Sequence, residues 1–416
     1  MKFKLTPLEK KWVLYDVGNS AFTLMVSTIF PIYFNYLAEN VGIIEENYLA
    51  YWGYATSVCT LIVALLGPTL GAIADTRNFK KAIFTIAMAV GVLGCVVLGF
   101  LSSWIWFLVV FVIAKTGYSA SLVFYDSMLT DVTEPERMDT VSSHGYAWGY
   151  IGSCIPFVAC LGIVLGAGSL GISMQTSMIL AFIVTAAWWL CSSIPLLFSY
   201  RQKYFAEAGT HVVRNSFKRL GHTFAELTKE KRIFVFLLAF FFYIDGVYTV
   251  IDMATAYGTA LGLDTTGLLL ALLLTQIVAF PCVLIFSRLV KKVTPEKIIT
   301  ICIAAYFCIA VYAYWLDTQA DFWILAVLVG MFQGTIQALS RSYFAKIIPA
   351  EKSGEYFGIY DICGKGASVL GTFLVSVLSQ LTGSMNIGVS ALSVMFLIGL
   401  VLFRYSARLN AKQEHI

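Results

Sequence analysis

Charged side chains are scarce in this sequence. Only 12% of its 416 residues are Asp, Glu, Lys or Arg, about half of the roughly 25% typical of soluble domains. Hydrophobic residues make up 59% of the chain, and the mean hydropathy is +0.80. This composition excludes an ordinary soluble protein and is typical of a polytopic membrane protein.

Patterns of metal ligands and of disulfides are also lacking. The chain has four histidines and nine cysteines, an odd number. The cysteines show no C-x-x-C spacing and all fall in apolar segments, as packing cysteines do. No nucleophile, base and orienting group come together in the sequence. We therefore expect no metal, disulfide or cofactor, no catalytic residues, and a protein that is not an enzyme.

Basic residues are absent from every second loop. Apart from Lys115 and Lys365, the 28 Lys and Arg lie at the two termini, in alternate loops and in the region 341–352. The positive-inside rule then predicts cytoplasmic termini and an even number of membrane spans. This separation accounts for the net charge of +4 without nucleic-acid binding. We expect an integral protein of the plasma membrane, or of the inner membrane if the source is bacterial.

Long apolar runs are what the sequence has in abundance. Runs of about 20 residues, enough for a helix to cross a ~30 Å hydrocarbon core, occur twelve times. The first is too long for a cleaved signal peptide, so we expect it to remain as span 1. The predicted spans are 12–37, 49–74, 82–101, 104–130, 141–167, 174–199, 233–260, 265–287, 298–316, 320–345, 355–381 and 386–404.

The spans divide into two sets of six around a basic segment, 201–232. An internal repeat supports the division, because TEPERMDTVSSHGYAWGY (133–150) parallels IPAEKSGEYFGIYDICGK (348–365). We predict one six-helix half at 1–200 and a second at 233–416. Between them we predict a cytoplasmic linker that contains an amphipathic surface helix.

Ionisable residues occur in the interior of only six spans. A charge that faces lipid costs ~2.5–3.5 kcal/mol or more, so these six spans are expected to surround an aqueous interior. Under the repeat they pair as spans 1 with 7, 4 with 10 and 5 with 11. The residues are Asp16 in span 1, Lys115 and Asp126 in span 4, His144 in span 5, Asp245 and Asp252 in span 7, Arg341 in span 10, and Asp361 and Lys365 in span 11.

The loop GAIADTRNFKK (71–81) resembles the signature between helices 2 and 3 of the major facilitator superfamily. Gly71, Asp75 and Lys80 are in register with it. Thr76 stands where a basic residue is usual, and Asn78 stands where glycine is usual. The resemblance implies that the acidic residue stabilises the outward-facing state by contacting the start of helix 11.

Longer motifs resemble the "unknown major facilitator" branch, which includes fungal vacuolar amino-acid effluxers linked to autophagy. The resemblance implies an all-α fold of twelve transmembrane helices in two halves, and alternating-access transport of a small polar solute, with amino acids as the first expectation. The motifs are WVLYDVGNSAF (12–22), FFFYIDGVYTV (240–250), DTTGLLLALLLTQIVAFP (264–281), QALSRSYFAKIIP (337–349) and GEYFGIYDICGK (354–365).

The carboxylates of spans 1 and 7 invite different interpretations. Asp16 is predicted one turn inside span 1, where it complements the helix dipole beside Lys10 or Lys11 or exchanges a proton with water. Asp245 is predicted ~18 Å into span 7, near the middle of the bilayer, on one face with Tyr248 and Asp252. A carboxyl group at that depth can carry a proton or neutralise a lysine.

Lys115 lies near the middle of span 4 and needs an anionic partner. The alternatives are Asp245 or Asp252 in span 7, or the anionic group of a substrate. Asp361 and Lys365 are spaced i, i+4 with the acid first, which permits an ion pair within one helix.

The polar residues that complete the predicted sites are mostly amides. Gln333, Gln337 and Arg341 form one stripe of span 10, so the glutamines either bind solute or join helices by hydrogen bonds. His144 is either a packed interfacial residue or a proton relay. The predicted substrate and proton pathway also includes Asn19, Tyr248 and Gln276, and the predicted cytoplasmic gate comprises Gly71, Asp75, Lys80, Glu136, Arg137 and Arg341.

The sequence thus predicts a monomeric secondary transporter in which two halves rock around a midplane site. Its partners are a small-molecule substrate, protons and membrane lipid. Proton coupling follows from buried acids without evident bases. The alternatives are a lipid or lysolipid mover, an uncoupled facilitator and, in a different class, a membrane receptor.

Overall fold

The computed structural model is helical throughout the part of the chain that it describes, residues 3–169, 171–206, 227, 229–260, 262–365 and 368–413. No strand occurs in these ranges, where the only β contact is an isolated bridge between Thr76 and Ala206. Twelve helical segments are long and apolar enough to cross a membrane. The prediction of twelve spans in an all-α membrane protein is confirmed.

Several spans consist of two consecutive helices. Spans 1 to 6 are Pro7–Ser27 with Ile29–Glu39, Glu45–Ala74, Phe79–Phe100, Trp104–Ser127 with Leu129–Val132, Pro135–Leu165, and Met174–Ser199. Spans 7 to 12 are Lys231–Ala260, Thr265–Leu289, Pro295–Tyr312, Gln319–Ile347, Ser353–Lys365 with Ser368–Thr382, and Met385–Ser390 with Leu392–Gln413. Short 3-10 helices, Ala313–Trp315 and Ala350–Lys352, follow span 9 and precede span 11.

Span 1 begins earlier than predicted because its polar first turn is capped. Thr6 is the N-cap residue, and its side chain accepts the Glu9 backbone N–H while the Glu9 carboxylate accepts that of Thr6. Pro7 follows at the first helical position, where its missing N–H costs nothing. The polar residues before the apolar run therefore belong to the helix.

Span 1 is broken at Thr28, whose φ of −132° and ψ of −72° are not helical. The cause lies three residues further on. Pro31 has no N–H to give to the carbonyl of Ser27, and its ring clashes with that carbonyl in a continuous helix. The chain restarts at Ile29, so that Pro31 falls in a first turn, where no N–H is required.

The helices pack as two sets of six. In the first set, span 1 packs against spans 5 and 6, and span 3 against spans 4 and 6; in the second, span 7 packs against span 12, and span 8 against span 10. The sets meet mainly through spans 2 and 11 and through spans 5 and 8. Because span 2 corresponds to span 8 and span 5 to span 11, these contacts are related by the two-fold repeat.

A tyrosine–serine hydrogen bond repeats in the two sets. The hydroxyl of Tyr15 in span 1 is 2.7 Å from Ser121 Oγ in span 4, and that of Tyr243 in span 7 is 2.6 Å from Ser340 Oγ in span 10. The same pair of residue types therefore joins corresponding helices in each half.

Glycines bring spans 2 and 11 into backbone contact. Gly67 and Gly71 on one helix face Gly358 and Gly354 on the other, each pair four residues apart. A Cβ atom added to Gly354 would lie 2.7 Å from the Gly71 carbonyl oxygen, and one added to Gly358 would lie 2.6 Å from Pro68 Cα. Small residues at this spacing let two helices approach closely, so this seam between the halves requires glycine.

Candidate functional site

The two halves are joined at the end of the bundle where span 2 ends and span 11 begins. We call it the basic end, after its predicted basic loops. Asp75 follows span 2, and its carboxylate accepts the backbone N–H groups of Gly354 at 2.7 Å and Glu355 at 2.9 Å. These groups belong to the first turn of span 11, where N–H groups lack helical partners and a negative charge is favourable.

Asp75 is fully buried in this contact. Burial raises the pKa of its carboxyl group to about 7, although Lys80 and the two backbone N–H groups favour the ionised form. The carboxyl group of Asp75 therefore gains or loses its proton near neutral pH.

Lys80 connects the same loop to the second half. Its Nζ lies 2.8 Å from Ser353 Oγ, 3.2 Å from Asp131 Oδ2 and 3.9 Å from Asp75 Oδ1. The lysine and both carboxylates are fully buried. Asp131 was not among the predicted site residues, yet it is the nearest carboxylate to Lys80.

Asp131 also holds the chain that follows span 6. Its Oδ1 accepts the backbone N–H groups of Lys203 and Tyr204, both at 2.9 Å. Ala206 N donates to the Asp75 carbonyl oxygen at 2.9 Å. The first residues of the predicted linker are thus bound to the loop that forms the gate. The predicted amphipathic helix, 212–234, lies mostly outside the described residues.

A second contact joins spans 5 and 10. Asp139 accepts hydrogen bonds from Lys346 Nζ at 2.6 Å and from Ser342 Oγ at 2.7 Å. The predicted gate residue here was Glu136, which is exposed and forms no ion pair within the described residues. Asp139, one helical turn further along, faces the second half in its place.

Arg137 and His144 face the N-terminal segment. Arg137 forms an ion pair of 2.7 Å with Glu9, within its own half, and its guanidinium lies 4.4 Å from the ring centroid of Phe3. The imidazole of His144 stacks on the same ring at 6.2 Å, and its Nδ1 has no hydrogen-bond partner among the described residues. His144 therefore has the packed environment of the first of its two interpretations.

Arg341 crosses from the second half into the first and is only 2% exposed. Its Nη1 is 2.8 Å from Asp126 Oδ1 and its Nη2 is 3.4 Å from Asp16 Oδ2. Its Nε donates to Ser142 Oγ at 2.9 Å. One arginine of span 10 is thus bonded to spans 1, 4 and 5. The predicted gate grouped Arg341 with Asp75 and Glu136, but among the described residues Arg341 forms its ion pairs with Asp16 and Asp126 instead.

Aromatic rings enclose the guanidinium of Arg341. Its Cζ lies 4.4 Å from the centroid of Tyr146, 4.7 Å from Trp12 and 5.5 Å from Tyr125. A Cβ atom at Gly145 would come within 3.1 Å of Nη2. The site thus combines cation–π contacts with a glycine that leaves room for the guanidinium and for the Asp16 carboxylate.

Asp16 lies deeper than predicted. The helix begins at Pro7, so Asp16 is about 14 Å from its start, and Glu9 occupies the first turn. Lys11 donates to Ser199 and not to Asp16. The helix-dipole interpretation of Asp16 is therefore wrong, since its side chain is only 9% exposed and is bonded to Arg341.

Four charged residues, Lys115, Asp252, Asp361 and Lys365, lie further from the basic end than Arg341. Lys365 Nζ is 2.7 Å from Asp361 Oδ1, the spacing predicted within span 11. Lys115 interacts electrostatically with Asp252 of the opposite half. Of the two carboxylates predicted as partners of Lys115, Asp252 is the one that the structure brings to it.

Tyr248 lies close both to these charged residues and to Asp126, one of the two carboxylates bound to Arg341. Its phenol interacts with Asp361, Asp126 and Asp252. Acids from spans 4, 7 and 11 therefore lie around one phenol. Asp245 is the exception among the predicted acids of span 7.

Asp245 is fully buried between spans 7 and 11 of the second half. Its Oδ1 accepts the backbone N–H of Gly371 at 3.1 Å and the Thr249 hydroxyl at 3.3 Å. Its Oδ2 has no hydrogen-bond partner, and it forms no ion pair within the described part of the chain. Pairing with Asp245, one of the alternatives predicted for Lys115, is not present in the described part of the chain.

Amide side chains add neutral polar groups to the interior. Gln333 and Gln337 are 3% and 9% exposed on the stripe that leads to Arg341. Asn19 Nδ2 lies 3.3 Å from Asp16 Oδ1. The Oε1 of Gln276 is buried without a partner among the described residues.

Comparisons with known proteins identify the family. The family model described as "Vacuole effluxer Atg22 like" matches residues 8–134 and 129–415. The chain is 42% identical over 410 residues to an "Uncharacterized MFS-type transporter YxiO" of Bacillus subtilis (strain 168), covering 97% of this chain and 96% of that protein. It is 22% identical over 442 residues to "Autophagy-related protein 22" of Coccidioides immitis (strain RS), covering 85% and 72%.

Solved structures share the fold. The human organic anion transporter MFSD10 superposes with a TM-score of 0.70 at 14% identity, over 95% of this chain and 99% of that one. The transporter FucP, in its outward conformation, superposes with a TM-score of 0.71 at 13% identity, over 96% and 97%. The chain is therefore an integral membrane protein that belongs to the Atg22-like family of major facilitator superfamily transporters.

Proposed function

We propose that this protein is a proton-coupled secondary transporter that moves a small polar solute, with amino acids as the first candidate. The observation that carries the proposal is the position of Arg341. It joins two carboxylates of the first half to a helix of the second, and charges of both signs from the two halves lie beyond it, where we place the substrate cavity. Since unpaired charges inside a membrane are costly, they are expected on a solute or ion pathway.

The cavity suits a zwitterion. Lys115 offers a cation for a carboxylate, while Asp252 offers an anion for an ammonium group, and the two interact across the halves. A solute that carries both charges can replace each residue's partner with its own groups. Gln333 and Gln337 supply neutral hydrogen-bonding groups beside them. A lipid mover would instead need an apolar opening.

Alternating access follows from breaking the contacts at the basic end. We propose that segments 1–200 and 233–416 rock about the central cavity, with 201–232 as a cytoplasmic linker. With both termini in the cytoplasm, closure of the basic end corresponds to an outward-facing or occluded state. The Asp75, Lys80, Asp139 and Arg341 contacts would then separate in the inward-facing state.

Asp245 is the proposed proton carrier during the crossing. A buried carboxyl group with one oxygen unpartnered is more stable when protonated, because protonation removes the buried charge. It lies in the moving second half and has no cation to neutralise it among the described residues. Asp16 and Asp126 remain with Arg341.

Ligand-induced thermal stabilisation of the purified protein against a metabolite library tests the substrate class. A ligand at a hundred times its Kd adds about 2.7 kcal/mol of stability. Lys115→Met and Asp252→Asn should each lose the response to amino acids, while Lys292→Met, an exposed loop control, should retain it. Stabilisation by lysolipids and not by any polar solute would contradict the proposal.

Uptake into liposomes tests the coupling. An identified substrate should accumulate when a proton gradient is imposed and should only equilibrate without it. Equilibration of the substrate under both conditions would indicate that the protein is an uncoupled facilitator.

Thiol labelling tests the orientation. In a background without the native cysteines, Asp317→Cys should react with an impermeant reagent in intact cells, and Lys292→Cys should not. The reverse pattern would invert the proposed topology.

A further inference from the structure

The two contacts that join the halves, spans 2 with 11 and spans 5 with 8, carry different charges at the basic end. At the first, Asp75 accepts backbone N–H groups at the start of span 11. When the loop 71–81 is aligned with 287–297 under the repeat, the residue at the position of Asp75 is Lys291. The protein therefore supplies an anion at the contact of spans 2 and 11 and a cation at that of spans 5 and 8.

Basic side chains gather where span 8 ends beside span 5. Arg288 and Lys291 are exposed and lie within electrostatic reach of the His144 imidazole on span 5. Neither cation forms an ion pair within the described residues. Arg137, a third cation of this region, is in contrast paired with Glu9 at 2.7 Å. Two of the three positive charges of this group thus have no acidic partner in the part of the chain that the structure describes.

Phe3 keeps one of these cations beside the first half. Its ring centroid lies 5.1 Å from Lys291 Nζ and 4.4 Å from Arg137 Cζ. The His144 ring stacks on the same phenyl ring at 6.2 Å. An aromatic ring attracts a cation through its quadrupole but carries no net charge. Phe3 therefore holds Lys291 in place and leaves its charge available to an anion.

The surface beside these cations faces away from the proposed substrate cavity. Tyr146 packs on Arg341, and Trp148 lies two residues further along span 5, about 200° around the helix. Trp148 is 45% exposed, and its ring centroid lies 5.2 Å from that of Phe280 on span 8. His144 is on the same face, one turn nearer the basic end. Aromatic rings just inside a row of basic residues are typical of a membrane–water interface.

The depth of these groups along span 8 matches the length of a phospholipid headgroup region. Phe280 lies eight residues before Arg288, or about 12 Å along the helix. Ile277 and Ile285 are also exposed on this span. The cations are therefore at the end of the span, where headgroups lie, and the apolar groups are on its side, where acyl chains lie. A soluble anion would use the cations alone, whereas a phospholipid uses both.

We propose that the surface where spans 5 and 8 meet at the basic end is a binding site for an anionic phospholipid. Its phosphate binds Arg288 and Lys291. Its glycerol and acyl region packs on Trp148 and Phe280. Basic pockets between transmembrane helices recognise anionic headgroups in this way. The proposal goes beyond the transport function and does not depend on the identity of the solute, because the site lies outside the solute pathway.

Native mass spectrometry of the purified protein in a neutral detergent tests the site. The protein is titrated with dioleoyl phosphatidylglycerol or dioleoyl phosphatidylcholine, and the fraction with one bound lipid gives the affinity. The parent should prefer phosphatidylglycerol. In Arg288→Gln/Lys291→Gln this preference should fall by about fivefold for each cation removed. The control Lys297→Gln/Arg404→Gln, with the same change of net charge at exposed positions of spans 9 and 12, should retain it.

Further variants separate the two parts of the site. Trp148→Ala should weaken the binding of both lipids alike, because it removes acyl contact and no charge, and Trp148→Phe should restore it. The conservative variant Arg288→Lys/Lys291→Arg should retain the preference for phosphatidylglycerol. Thermal unfolding of each variant separates a lost lipid contact from misfolding.

Equal affinity of the parent for the two lipids would overturn the proposal, as would a preference that survives Arg288→Gln/Lys291→Gln or binding that Trp148→Ala leaves unchanged. Displacement of phosphatidylglycerol by glycerol 3-phosphate would overturn it in favour of a soluble anion. Loss of lipid binding in Lys115→Met would place the lipid in the solute site instead. The measurement uses no transported solute, so failure of this proposal and failure of the proposed function are distinguishable.

Discussion

Spans 1 and 7 carry related acids in opposite environments. Each has a tyrosine bonded to a serine of its partner span, Tyr15 to Ser121 and Tyr243 to Ser340. Next to Tyr15, Asp16 is bonded across the halves to Arg341. The acid near Tyr243 is Asp245, which is bonded within its own half to span 11.

The two halves therefore share the same helix arrangement and the same Tyr–Ser hydrogen bond, whereas their buried carboxylates have different partners. A carboxylate in the contact between halves feels any separation of the halves, because its counter-charge moves away. A carboxylate buried within one half keeps its neighbours during a rigid-body motion. Asp16 is therefore suited to a gate, and Asp245 to holding a proton through the conformational change.

Loss of Arg341 is expected to have the largest effect on this comparison. Arg341→Ala leaves Asp16 and Asp126 buried without a cation, a loss of ~3–5 kcal/mol for a broken buried pair. The closed basic end should be depopulated, with spin-label distances between the halves increased and the thermal unfolding temperature lowered. Arg404→Ala, at an exposed arginine, is the matched control. Unchanged distances would reduce Arg341 to an anchoring residue.

Removal of the charge at Asp245 should affect transport and spare the gate. Asp245→Asn keeps an oxygen to accept the Gly371 N–H and mimics the protonated acid. Accumulation driven by a proton gradient should be abolished, while substrate binding and the distances at the basic end are retained. Asp16→Asn should instead alter the pH dependence of transport more mildly. Normal accumulation by Asp245→Asn would make this acid structural and the comparison with Asp16 irrelevant to coupling.

A methyl group between the glycines of spans 2 and 11 should open the basic end, whereas a methyl group elsewhere on span 2 should not. Gly71→Ala forces a Cβ into the Gly354 backbone, an overpacking that costs ~1–3 kcal/mol in a well-packed contact. Gly53→Ala, on the same span, meets open space. Labelling of cavity cysteines from the basic side should rise in the first variant and not in the second. Equal labelling in the two variants would show that the close glycine contact is not needed to keep the basic end closed.

The smallest expected effect is the pH dependence contributed by Asp75. Its pKa is about 7 in the closed end, against an ordinary 3.8, so protonation favours closure. This contribution is complete below the ordinary value and is lost as the pH rises to about 7. The closed fraction of the parent should fall over that window more than that of Asp75→Asn. A steeper fall in the variant would reverse the assigned sign.

Hydropathy and helical spacing predicted those features of the structure that depend on a single segment of the chain. The twelve spans follow from the length of the apolar runs, and the Asp361–Lys365 contact from its i, i+4 spacing. The early start of span 1 was missed, although Thr6 and Glu9 form the Thr-x-x-Glu pattern of a capping box.

The partners across the halves could not be predicted in the same way. Arg341 and Asp16 are 325 positions apart, and no single-segment pattern joins them. Asp131 and Asp139 were placed in a loop because polar residues follow the apolar run there, and they are in fact buried. The repeat indicated which spans correspond in the two halves, but it did not indicate that Asp139 and not Glu136, one helical turn away, contacts span 10.

The binding of Tyr200 and the residues after it to Asp131 has a consequence for building the protein from two polypeptides. A break introduced before Tyr200 would remove from the first half a segment that covers its gate loop, leaving the Asp131 carboxylate with fewer donors. A break placed after Ala206 would keep that cover with the half that needs it. Co-expressed fragments divided at the later point should therefore reassemble into a working carrier more readily than fragments divided at the earlier one.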